Sequence, residues 1–246
     1  MRILVTRPDP DGARLCDRLR AAGHAVITAP LLTIIFENDL SIAPDDFQAF
    51  LLTSANGVRA LAQLTPKRET RLFCVGDATA RTADALGFVH IDSAGGDVDT
   101  LAALVRDRLS PGDKALLHVA GSVVAGDLKG MLEQSGFKVE RVTAYRAEPA
   151  RHLPQEALGA IRDGALDLAL FYSPRTARIF VALMKQADRE EAGLLRALGA
   201  VAAGCLSEAV HDALQSLPWR RIVVSDEPTE AALVAALDLE PDTKTN

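Results

Sequence analysis

The chain has 246 residues, 48% of them hydrophobic and only 4% aromatic, and its formal net charge is −6. That length suits one large or two small domains, with cores built mostly of Ala, Leu and Val as in α/β proteins. The acidic balance argues against a nucleic-acid partner or an anionic membrane surface, yet a few arginines and helix N-termini suffice to hold an anionic small ligand.

Arg2 to Thr6 reads as a strand at the very start, so we expect no signal peptide and a cytoplasmic protein. The longest apolar stretch, Leu198 to Leu206, is far too short to span a bilayer. Arg7-Pro-Asp-Pro-Asp-Gly12 is a turn with acidic capping residues. A helix follows with Leu15, Leu19 and Ala22 on one face and Arg14, Asp17 and Arg18 on the other, and Gly23 ends it. Ala25 to Thr28 is a second strand, which completes a strand–helix–strand unit, A.

Leu31 to Phe36 is extended and leads through the polar stretch Glu37 to Asp46, a connection between modules. A longer unit, B, comes next. Its strands are Ala49 to Thr53, Leu72 to Val75 and Val89 to Ile91, and helices follow Ser54, Gly76-Asp-Ala-Thr79 and Thr100. We expect Ala80, Ala83 and Leu86 to face inward on the middle helix. Unit A then returns: a strand at Ala115 to Val119, the turn Gly121-Ser122, a helix ended by Gly136, and a strand at Val139 to Val142. Thr143 to Pro149 is a second extended connection, and Pro154 to Ile161 a helix.

Unit B returns last. Leu168 to Tyr172 is a short apolar strand that breaks at Ser173-Pro174, where Ser173 is a natural N-cap and Pro174 falls at the first helical position. Ala177, Phe180, Val181 and Met184 share one face of the helix that follows. Further strands are Ala200 to Ala203, ending at Gly204-Cys-Leu-Ser207, and Arg221 to Val224. Asp99-Thr-Leu-Ala-Ala-Leu-Val105 mirrors Pro228-Thr-Glu-Ala-Ala-Leu-Val234, and the tail from Glu240 should fray.

The order A, B, A, B predicts parallel sheets covered on both faces, with ligands beyond the carboxyl ends of the strands and a cleft between two domains. Contiguous pairing gives domains of roughly 1–110 and 111–246; nested pairing joins the first A to the last B. Periodicity alone does not choose, although two similar connections favour nesting.

No G-x-S-x-G, G-x-G-x-x-G or phosphate-loop motif is present, and His24, His90, His118, His152 and His211 form no metal-spaced set. Cys16, Cys74 and Cys205 lie far apart and read as buried reduced thiols. His118 reads as a partly buried residue at a strand end. Ser54, Ser173, Ser207 and Thr79 are helix caps first. Arg7 and Arg175 sit at strand ends, where each suits either solvent or an anion. Tyr172 suits the core edge, whereas packing explains Tyr145, in a connection, less well.

Five pieces, Val5-Thr-Arg-Pro8, Leu52-Thr-Ser-Ala-Asn-Gly57, Val75-Gly-Asp-Ala-Thr79, Val142-Thr-Ala-Tyr-Arg146 and Phe171-Tyr-Ser-Pro174, together resemble the uroporphyrinogen-III synthase family in their order. The resemblance implies two similar α/β/α domains with parallel sheets, joined by a two-stranded linker. The first domain would be discontinuous, at 1–33 and 148–246, with 34–147 inserted. It also implies a monomer that uses no cofactor or metal. Its substrate would be a linear tetrapyrrole polycarboxylate, hydroxymethylbilane, which it would close to uroporphyrinogen III with loss of water and inversion of the last ring. Tyr145 matches a tyrosine proposed to assist departure of the hydroxyl, and Ser54, Thr79, Ser173 and Ser207 match hydroxyl positions at the binding loops. Arg7, Asn56 and Ser122, in or beside the matched turns, complete the expected substrate contacts. One departure stands out: many members carry an arginine shortly after Gly121, and here no base precedes Lys129. The rival reading is a non-catalytic two-lobed cytoplasmic binding protein.

Overall fold

The computed structural model describes residues 1–124 and 126–239; the tail from Glu240 and residue 125 lie outside the described residues. In chain order the first elements are β1 (Arg2–Val5), α1 (Asp11–Ala21), β2 (Ala25–Thr28), β3 (Leu32–Phe36), β4 (Phe47–Leu52), α2 (Ala55–Leu64), β5 (Leu72–Cys74), α3 (Asp77–Ala85), β6 (Ile91–Ser93) and α4 (Val98–Arg108). Then follow β7 (Ala115–Gly121), α5 (Leu128–Glu133), β8 (Val139–Pro149), α6 (Gln155–Arg162), β9 (Leu168–Phe171) and α7 (Pro174–Glu190). The last are α8 (Leu194–Leu198), β10 (Ala202–Cys205), α9 (Glu208–Leu214), β11 (Arg221–Val224) and α10 (Glu230–Ala236).

These elements form two compact units, one of Met1–Thr33 plus the chain from Glu148 onward, the other of Ile34–Ala147. In the discontinuous unit the strand order is β11-β10-β9-β1-β2, all parallel. The first strand meets the ninth: Ile3 pairs with Leu168 and Val5 with Leu170. Side chains alternate across this sheet. Leu4, Ala169, Phe171 and Ala203 enter one apolar cluster, while Ile3, Val5, Leu168 and Leu170 enter the other. This alternation follows from the period of two in a strand. Both faces are apolar because helices cover both, α7 with Phe180 and Met184 on one side and α1 with Leu15 and Leu19 on the other.

In the inserted unit the order is β3-β8-β7-β4-β5-β6. From β8 to β6 every pairing is parallel. Strand β3 runs the other way along β8, because Glu37 N–H donates to Ala144 O (2.9 Å) and Ala150 N–H donates to Leu31 O (3.0 Å). Phe50, Leu52, Leu72 and Val119 fill one face, and Ala49, Leu51, Phe73 and Leu116 the other. Apart from β3, the two units share one strand arrangement: three B strands, then two A strands. The order of connection reverses between β1 and β9 in one unit and between β4 and β7 in the other. Those switch points are where doubly wound sheets hold ligands, beyond the carboxyl ends.

Several elements sit elsewhere than the sequence suggests. Strand β6 begins at Ile91, since Ile91 is the residue that pairs with Leu72, and Val89 is 62% exposed. Leu86, expected inward, is 38% exposed because α3 ends at Ala85; Phe88 fills the core there instead. Ala200 and Val201 close the turn after α8, so β10 runs from Ala202 and takes Gly204 into its interior. The second connection is extended, as expected, and continues without a break from Val142 as the second half of β8. On α7 the buried face takes Leu183 in full, whereas Val181 is only partly covered.

Candidate functional site

In the inserted unit the end of β4 delivers Thr53 and Ser54 to the switch point. Ser54 has an extended backbone (φ −161°, ψ 155°), and its Oγ accepts the Gly57 N–H at 3.0 Å, capping α2. Gly57 must be glycine here: a Cβ would lie 2.7 Å from Val119 O, so any side chain would push the start of α2 off β7. The same Ser54 Oγ lies 2.9 Å from the Tyr145 hydroxyl. Tyr145 reaches it from β8, two strands away. The register slips between Ala120 and Gly121, so Gly121 faces Tyr145, and the Ser122 N–H donates to Tyr145 O at 3.0 Å. The ring lies across Gly121, where a Cβ would come within 2.7 Å of Cζ. A bulge of this kind re-aims a side chain at the edge of a sheet.

Beneath the pair, Thr53 Oγ1 lies 3.2 Å from His118 Nε2. His118 is buried inside β7, not at its end. Burial, and after it the charge of Arg141, pushes its pKa down to about 4, so it is neutral at pH 7. Thr79 is not a cap: Gly76 holds that place, and Thr79 is buried in the first turn of α3 with its N–H given to Gly76 O. Asn56 is partly buried, and its carbonyl oxygen accepts from Arg59 at 2.7 Å. Ser122 is exposed, but its N–H is already used by Tyr145.

The discontinuous unit brings Arg7, Ser173 and Ser207 to the ends of three neighbouring strands, β1, β9 and β10. Ser173 caps α7 through the Thr176 N–H (3.2 Å), and its hydroxyl also meets Thr176 Oγ1 at 3.0 Å. Ser207 precedes α9, yet its side chain makes no capping bond; only its carbonyl serves the helix, taking the Val210 and His211 N–H groups. Arg7 does not stand open to solvent. It donates to Glu230 Oε2 at 2.6 Å and stacks over the Tyr172 ring at 4.9 Å, and Arg18 takes the other Glu230 oxygen at 2.7 Å. Glu230 was not a candidate from sequence. The Tyr172 hydroxyl is buried with no hydrogen-bond partner, and burial raises its pKa.

A hollow of about 840 Å³ is lined by Phe47, Ala115 and Val139, which begin β4, β7 and β8. That is the amino edge of the sheet, opposite the capped turns, and physics favours the carboxyl edge because the helix N–H groups converge there. Among the described residues, one group could take a metal by distance, Glu208, His211 and Asp212. His211 Nδ1 is instead engaged by Gln215 (3.2 Å) and Asp212 (3.3 Å) on the side of α9. No helix among the described residues is long and apolar enough to cross a membrane.

A family model described as uroporphyrinogen-III synthase HemD matches residues 13–235. The chain belongs to the uroporphyrinogen-III synthase family. The uroporphyrinogen-III synthase of Synechococcus elongatus is 30% identical over 200 residues, covering 74% of this chain and 74% of that protein. The porphyrin biosynthesis protein HemD of Ruminiclostridium josui is 22% identical over 253 residues and covers 97% of this chain. The chain spans about half of that relative's length, 48%. The crystal structure of uroporphyrinogen-III synthetase from Helicobacter pylori 26695 shares the fold, with a TM-score of 0.62 at 18% identity over 98% of this chain and 100% of that one. Relatives named as synthases do not favour the two-lobed binding protein. The family match spans Ser54, Thr79, Tyr145, Ser173 and Ser207 and leaves Arg7 outside it.

Proposed function

We propose that this chain converts hydroxymethylbilane into uroporphyrinogen III, with the two compact units as its binding domains, as a cytoplasmic monomer that needs no metal or organic cofactor. The single observation that carries the reading is the Tyr145 hydroxyl, held at 2.9 Å from Ser54 at the switch point of the inserted unit in a chain of this family. Loss of the substrate's hydroxyl leaves a delocalised azafulvenium cation. Left alone, that cation closes head to tail without inversion. The protein must hold the bilane curled, so that the substituted carbon of the last ring is attacked first to give a spiro intermediate. That is chiefly positioning. Tyr145 gives its proton to the departing oxygen, which leaves as water. The ring-closing carbon later sheds a proton, which restores the phenol.

The substrate's carboxylates need donors. Helix N-termini after Ser54, Gly76 and Ser207 present N–H groups, and the Ser173 hydroxyl, Asn56, Thr79 and Ser122 lie at or beside the same strand ends. Arg7 can join only by exchanging Glu230 for a substrate carboxylate. The test is to incubate the protein with enzymatically generated hydroxymethylbilane, oxidise the products and resolve the isomers. Type III should dominate. Type I alone, formed at the spontaneous rate, would overturn the reading.

A further inference from the structure

We propose that Ser54 is the positioning residue for Tyr145: its hydroxyl donates to the phenol oxygen and so turns the Tyr145 O–H toward the substrate. The inference rests on Tyr145 as proton donor and asks what aims that donor. Two strands and a helix start were needed to bring these hydroxyls together, 91 residues apart in sequence. A phenol has one proton. Pointed at Ser54, it is lost to the leaving group. Ser54 likewise has one proton, and its oxygen already accepts the Gly57 N–H at 3.0 Å. An oxygen that accepts from a backbone amide is a stronger donor, because neighbouring hydrogen bonds polarise one another.

The order Gly57 N–H to Ser54 Oγ–H to Tyr145 Oη–H therefore runs in one direction and ends on the substrate. Gly57 lies in the first turn of α2, so the chain begins at the positive end of a helix dipole. At the other end Gly121 leaves the space in which the ring lies, and the Ser122 N–H fixes the Tyr145 carbonyl. The ring is thus held at its base, under its face and at its tip. When the C–O bond breaks, the Tyr145 proton goes to the leaving oxygen, and the phenolate keeps the Ser54 O–H as its hydrogen-bond donor. No further reactant is needed, because the proton released on ring closure returns to Tyr145.

The test is a double-mutant cycle read in kcat, KM and isomer ratio. Ser54→Gly removes the hydroxyl while keeping the helix start, since glycine is tolerated at an N-cap. Alone it should lower kcat by about as much as Tyr145→Phe, at least about tenfold, with KM little changed. Ser54→Thr, which keeps a hydroxyl and a cap, should restore most of the rate. In the Tyr145→Phe background Ser54→Gly should change the rate by less than about twofold. Multiplicative losses would overturn the proposal, because Ser54 would then act on substrate or fold by itself. A wild-type rate for Ser54→Gly with a slow Tyr145→Phe sinks the positioning role and leaves the acid role standing. A wild-type rate for Tyr145→Phe sinks both.

Discussion

Tyr145→Phe keeps the ring in its bed over Gly121 and deletes only the donor. General-acid help is commonly worth ~10²–10⁴-fold, and the push of the pyrrole nitrogen on the leaving group places this case toward the low end. The expected result is a clear fall in rate, a melting temperature close to wild type and a product still mostly type III. Release of mainly the uninverted isomer would show that the tyrosine shapes the curled pose. His118 offers a pH test. An unfolded histidine takes its proton near ~6.5, while the folded one resists until about 4. Stability from this residue is therefore whole above ~6.5 and is lost as pH falls toward 4. Urea midpoints measured from pH 7 to 4.5 should decline, and His118→Gln should flatten that decline; an unchanged slope would remove His118 from the account. Asp97 titrates lower, because the Thr100 N–H holds its carboxylate below the usual range. At this scale the sequence showed that Ser54 and Ser173 cap helices, since a serine before an apolar period has a local cause, but it misplaced Thr79, which lies inside the first turn of α3, and Ser207, whose side chain makes no capping bond. It could not show that Arg7 is paired with a carboxylate 223 positions away, or that Ser54 meets Tyr145. Those are facts about strand neighbours.

Helix starts are the elements that present N–H groups, so a single cap should matter little to binding. A helix-terminal anion contact is worth ~0.3–1 kcal/mol when exposed and up to ~2 when partly buried. Ser173→Ala should cost about 1 kcal/mol of stability through the lost Thr176 bond and weaken activity only modestly. Complete inactivity with the fold intact would point instead to a serine that takes part in the chemistry. Strand and helix alternation was legible because apolar runs and capping residues are local signals. Element edges were less so. Helix α8 has no local start signal, because Asp188, from the preceding helix, starts it by accepting the Gly193 and Leu195 N–H groups. Strand β10 was placed early because a glycine looks like a turn, yet Gly204 lies inside the sheet. There a Cβ would meet the tips of Leu237 and Leu170 at 2.6 and 2.9 Å, so packing and not turn chemistry favours glycine.

For the molecule as a whole, the partner choice of β1 decides everything. Periodicity left contiguous and nested pairing open; the register of Ile3 on Leu168 is nested. The inserted unit leaves and rejoins the rest through β3 and β8, which lie side by side, so its ends are close. Ile34–Ala147 expressed alone should therefore fold, with a single cooperative urea transition and a dispersed amide spectrum. A molten or aggregated fragment would count against independent domains.

The bond between Arg2 N–H and the Asp167 carboxylate spans 165 positions. During synthesis the first strand, which pairs early with β2, is thus made long before its other neighbour, β9, exists. At ~5–20 residues per second it waits roughly ten to thirty seconds, with one edge open, while the inserted unit is completed and can fold. On stalled ribosomes, limited proteolysis should find the inserted unit protected first and the opening strand last.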